Sequence, residues 1–239
     1  TKALGFRKMF RNLTATISGR AEHAVYENLE GSNVTFDSCV IGRRSSKDGP
    51  TLLRNVVLQN ARHINCDIYT ASLQDVLLHG LKREGGDPLF LWGCVFKHVQ
   101  IKGRVAGLKI NRSISPVPGV PDEERAAWDQ LTIEFYRSVD WALDIADAQF
   151  PGGVSFEAIP GDKVRINQET QALVRRSALQ ENDWWRTYDF GVTPMKIELK
   201  SFLERSLFES VVVAARTESK YAKQDIAAIN ALRSAGLAE

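Results

Sequence analysis

Residues 55–79 read NVVLQNARHINCDIYTASLQDVLLH, and divided into fives they keep time: NVVLQ NARHI NCDIY TASLQ DVLLH. The second place of each five holds Val56, Ala61, Cys66, Ala71 and Val76, all small and apolar. The fourth holds Leu58, His63, Ile68, Leu73 and Leu78, large and apolar with one exception. The third place (Val57, Arg62, Asp67, Ser72, Leu77) follows no rule. A helix repeats at 3.6 residues and a strand at 2, so neither alone makes a period of five. Short extended pieces turned at every fifth residue do, because second and fourth places then point to one side as alternate strand residues do.

The beat recurs. Residues 23–42 divide as HAVYE NLEGS NVTFD SCVIG, with Ala24, Leu29, Val34 and Cys39 in the second column and Tyr26, Gly31, Phe36 and Ile41 in the fourth. Residues 93–102 divide as GCVFK HVQIK, and a weaker echo runs through about 131–168. A fixed repeat is read before any individual element, because it decides the architecture. Four faces of five residues close a coil of about twenty residues, and coils stack about 4.8 Å apart through strand hydrogen bonds.

With these columns the chain resembles the pentapeptide-repeat family, whose members form right-handed quadrilateral β-helices. The resemblance implies a mainly β fold, a right-handed β-helix or pentapeptide-repeat solenoid with C-terminal α-helices. It implies a filled core without an interior cavity, and a non-catalytic scaffold that presents its loops and side face to a protein partner. The third column departs from the family pattern, since it is not dominated by small polar residues. A less regular right-handed β-helix with longer coils is the alternative.

The resulting organisation has three parts. Residues 1–22 are expected to cap an exposed sheet edge, which needs cover. Residues 23–170 form the β-helix, interrupted by loop insertions at 43–54, 80–92 and 111–130 that carry Pro, Gly and clustered charges. Residues 171–239 wrap back and end in helices. Leu199, Phe202, Leu203, Leu207 and Val211 fall on one helical face, and a second helix spans about 218–234.

Composition narrows the function classes. Net charge is +2, with 31 Lys and Arg against 29 Asp and Glu. Residues 23–110 carry 11 basic and 8 acidic residues, so they have neither the acidic face of a DNA mimic nor a basic stripe; no nucleic-acid partner is expected. No apolar run approaches the ~20 residues that span a bilayer, so no membrane partner is expected. The opening TKALGFRKMFRNLTATISG has no continuous apolar stretch and does not begin with Met, which reads as a trimmed start rather than a signal peptide. Three cysteines without a CxxC pair fit free thiols in a reducing cytoplasm.

Several residues invite chemistry. Cys39, Cys66 and Cys94 fall in the second column, which wants a small buried residue, so packing explains them without a metal or a nucleophile. His63 occupies an inward column and reads as a corner histidine bonded to backbone. Asp144 and Asp147, in VDWALDIADAQF, are the candidate carboxylates of a carbohydrate-acting β-helix enzyme, the alternative function. Trp184, Trp185, Arg186 and Tyr188, in DWWRTYDFG, form a candidate partner-contact surface, because two adjacent tryptophans do not both face one core. The C-terminal helices offer a route to a homodimer. No phosphate-binding, zinc or nucleophile-elbow motif is present, and no catalytic residue, cofactor or metal is expected.

Overall fold

The computed structural model describes residues 25–42, 49–116 and 119–239 in full, and the backbone alone of Lys8–Arg11 and Thr14–Ala15. The cap expected over residues 1–22 therefore lies largely outside the described residues. Lys8–Arg11 forms strand β1, Thr14–Ala15 forms β2, and β1 pairs in parallel with β3, Val25–Ser32.

Each run of fives becomes a set of strands that aligns on the next run. β3 is followed by β4 (Thr35–Asp37) and β5 (Val40–Gly42). The run opened above becomes β6 (Thr51–Ile64), β7 (Asp67–Tyr69) and β8 (Ala71–Arg83). The next gives β9 (Leu89–Trp92), β10 (Val95–Lys97), β11 (Val99–Val105) and β12 (Leu108–Asn111). Pairing is parallel and matches columns: Leu29 opposes Val56, which opposes Val76, while Leu58 opposes Leu78, which opposes Ile101. A one-residue slip would turn every one of these side chains to the other face, so the columns set the register.

After α1 (Asp122–Arg137) come the short strands β13 (Leu143–Asp144), β14 (Ala148–Gln149) and β15 (Val164–Arg165). The larger sheet runs β1-β3-β6-β8-β11-β13-β15 with four strands branching from that path, and the smaller runs β12-β9-β7-β5. The fold is thus α/β, open and mostly parallel, which corrects the expected mainly β, closed right-handed β-helix solenoid. Two findings overturn that expectation. β6 and β8 run through their corners as continuous strands of 14 and 13 residues, and the 16-residue helix α1 separates β12 from β13. The period of five registers how often the strands bend; it does not count the sides of a closed coil.

The expected insertions also hold regular structure. Thr51–Ile64 includes residues read as loop, Leu89–Trp92 is strand, and α1 starts at Asp122 inside the third insertion. α1 buries Trp128, Thr132 and Tyr136 at successive i+4 positions, and the Tyr136 hydroxyl accepts a hydrogen bond from the Phe96 amide at 3.2 Å.

The C-terminal third packs helices on a two-stranded antiparallel sheet of β16 (Gln171–Arg175) and a later strand. α2 (Arg176–Glu181) and α3 (Trp184–Thr187) follow β16, then α4 (Met195–Arg205) buries Met195, Leu199 and Phe202. The helical face traced through Val211 ends sooner, because SVVVA is a β-branched run and forms β17, Ser210–Ala214. Arg176 holds the end of α4, donating from its guanidinium to the carbonyls of Leu203 and Ser206 at 2.9 Å each. α5 (Ala222–Ser234) buries Ala228, Ile229 and Leu232. Among the described residues no helix is long and apolar enough to cross a membrane.

Candidate functional site

The two parallel sheets face each other with their second and fourth columns inward. The second column is small, so the facing side chains do not meet everywhere. A cavity of about 430 Å³ lies between the sheets, within the range typical of small-molecule sites. Its wall is drawn from β3, β6, β8 and β11 on one side and β5, β7, β9 and β12 on the other. Leu58, Ile68 and Leu78 line it and are half-buried. A filled core was the expectation; the small column leaves the centre open.

The polar members of this wall are few. His63 is 1% exposed, and neither ring nitrogen has a hydrogen-bond partner among the described residues. Burial pushes its pKa down, the Ala106 backbone opposes, and the nearby Arg83 charge adds to the lowering. Both nitrogens are covered, so His63 contributes a ring face to the cavity rather than a donor or acceptor. Asp67 is engaged, accepting from the Trp92 indole N–H at 3.1 Å. Cys39 and Cys66 are buried in the wall, with the Cys39 amide donating to Cys66 Sγ at 3.4 Å. Cys94 is buried behind it, and burial pushes its thiol up to about 12. Among the described residues no group of three or more His, Cys, Asp or Glu could hold a metal ion.

The candidate carboxylates take up separate partners. Asp144 lies 4.0 Å from Arg165 and accepts from the Ala146 amide, while Asp147 lies 3.4 Å from Lys102. Each faces a cation of its own. The neighbouring His98 carries no signal in the sequence. Its Nδ1 lies 3.2 Å from Asp75 and its Nε2 2.6 Å from Asp140, with the ring tilted over Trp141 at 4.8 Å. Arg165 covers Trp141 at 4.1 Å, and the hydrogen bond from His98 holds the Asp140 carboxyl below its usual range. These contacts tie four parallel layers, β8, β11, β13 and β15, together at one outer edge.

The aromatic segment divides between inside and outside. Trp185 is 2% exposed and donates its indole N–H to the Leu179 carbonyl at 3.0 Å. Trp184 is half-buried, stacked on Tyr188 at 4.2 Å and edge-on to Phe190. Arg186 lies over the Trp185 ring at 4.6 Å and donates to Asp183. Val192 and Ile197 are the most exposed large apolar residues described, at 59% and 74%. Lys196 joins α4 to this segment by donating to the Arg186 carbonyl at 2.6 Å.

No family model, curated protein or solved structure matches this chain.

Proposed function

We propose that this protein is a non-catalytic binding protein that holds an apolar small molecule between its two parallel sheets. The observation that carries the reading is the 430 Å³ cavity, whose wall is aliphatic in nearly every strand. A void of this size and lining is costly to leave among packed side chains, and an apolar occupant recovers the lost contacts. Chemistry finds little support there, since both His63 nitrogens are buried and Asp67 is already bonded. The test is titration of the delipidated protein with the neutral dye N-phenyl-1-naphthylamine. Saturable binding of one dye per chain, lost in Leu78→Trp, is the expected result. Absence of saturable binding, or binding indifferent to that substitution in a folded variant, overturns the reading.

A second reading, contact with a protein partner, is favoured by Val192 and Ile197 beside the Trp184–Tyr188 stack. The partner that fits is a second copy. Ile197, Lys200 and Glu204 lie along one outer strip of α4 with opposite charges four residues apart, so an antiparallel copy sets each lysine against the other's glutamate. Sedimentation analysis tests it: a dimer that Ile197→Asp converts to monomer supports this contact, and a monomer at all concentrations removes it.

A further inference from the structure

We infer that the occupant of the cavity is an unbranched alkyl chain lying along the direction in which the strands stack; this rests on the apolar-ligand reading above. The cavity is lined by Leu29 on β3, Val56 on β6, Val76 on β8 and Val99 on β11, four consecutive layers of one sheet. On the opposite wall Ile41, Ile68, Leu91 and Leu108 come from β5, β7, β9 and β12, again four consecutive layers. Neighbouring strands lie about 4.8 Å apart, so three spacings make the space about 14 Å long. Its wall is aliphatic at every layer, which rewards an occupant for length rather than for a polar group at a fixed depth. A compact ring system covers only part of such a wall, whereas an extended chain touches all four layers.

This arrangement dictates how affinity grows. Each methylene that enters the channel adds up to about fourfold in affinity, the equivalent of burying one CH₂. The gain stops when the chain has spanned the layers between β3 and β11. Filling the channel at one layer shortens the space, so the length at which the gain stops moves down. Val99→Phe, at the β11 end, removes about one layer, and Val56→Phe, one layer in from β3, interrupts the channel near its other end.

The experiment is competition of 1-alkanols from six to sixteen carbons against N-phenyl-1-naphthylamine on the delipidated full chain. A lysophosphatidylcholine of matched chain length forms a parallel arm. Affinity that climbs stepwise with length and then levels, with the plateau reached at shorter chains in Val99→Phe, is the expected result. Binding in the alkanol arm alone assigns the site to free chains; binding in both arms assigns it to a lipid tail. If the dye binds but alkanols do not gain with length, the alkyl-chain inference is overturned while the apolar cavity stands. If neither dye nor alkanol binds, the cavity reading falls with it. The wild-type length series decides the matter even where a variant does not fold.

Discussion

The side-chain amide of Asn55 donates to Asn28 Oδ1 at 2.6 Å, joining residues 27 apart in sequence that occupy the same corner of successive strands. Both have left-handed backbone, with φ of 53° and 57°, and the column continues through Asp75 (φ 53°) and His98 (φ 56°). A parallel column runs through Asn33, Asn60, Gly80 and Gly103, all at positive φ. Left-handed backbone costs an ordinary side chain about 1–2 kcal/mol, and Asn and Gly carry it best. These residues bend β3, β6 and β8 at intervals of five, which is what the sequence period records.

That bend predicts an asymmetry at Asn55. Replacement by Ala forfeits both the bond to Asn28 and the tolerance of φ 53°, and should cost on the order of 2 kcal/mol. Replacement by Gly keeps the tolerance of positive φ and should cost less, under ~1 kcal/mol. Urea melts of the two variants check the order. Equal losses would show that the left-handed backbone has no part in the stability of this corner.

The rhythm of the core was legible because burial must follow the columns. Val56, Ala61, Cys66, Ala71 and Val76 are all buried, each at most 7% exposed. The corners were legible too, in a column left unread: the first place of each five is Asn55, Asn60, Asn65, Thr70 and Asp75, and all five have positive φ. What the period does not contain is closure. Whether bent strands turn into a closed coil or continue as open sheets depends on long-range pairing, and nothing in Val56 or Asn60 distinguishes the two. The cavity was equally hidden. It depends on small residues such as Ala61 and Cys66 coming to line one space, which is known only after the register is. The contacts of His98 were hidden for a similar reason, since Asp140, its nearest carboxylate, comes from a layer 42 residues later.

The thiols make a second prediction. Cys39, Cys66 and Cys94 are all buried, and burial raises both Cys66 and Cys94, the latter to about 12. The reactive species is the thiolate, so none of the three should react with an aqueous disulfide reagent at about pH 8 in the native protein. All three should react once guanidinium unfolds it. A stoichiometric native thiol would contradict the packing of the second column.

The C-terminal unit turns on one buried ion pair. Asp225 is 0% exposed, receives Nε and Nη2 of Arg216 at 2.7 Å each, and accepts from the Arg216 amide at 2.9 Å. The same guanidinium lies over Tyr221 at 4.2 Å. Removing one member of such a pair strands the other charge, at a cost of about 3–5 kcal/mol. Asp225→Ala should therefore melt far below the wild type, whereas Arg104→Ala, which breaks an exposed pair with Glu218, should shift stability by no more than ~1 kcal/mol. Similar losses in both variants would mean that burial does not distinguish these pairs.

Close to this pair, Glu198 on α4 gives stability a pH dependence of unusual sign. Burial, with Asp225 and Glu157 adding and Lys109 and Arg216 opposing, pushes its carboxyl up to about 8 from an ordinary 4.5. Between those values the unfolded chain has released the proton while the folded chain retains it, so the folded state binds more protons. Stability from this group then falls as pH rises from about 4.5 to about 8, and is level above. Glutamine copies the protonated form and removes the dependence. Glu198→Gln should match the wild type near pH 4.5 and exceed it by a few kcal/mol at about pH 9, since each pH unit separating the folded and unfolded values is worth about 1.4 kcal/mol. Thermal melts of the two proteins across that range check it. A difference that stays constant with pH would place the Glu198 carboxylate in solvent and end the argument for its burial.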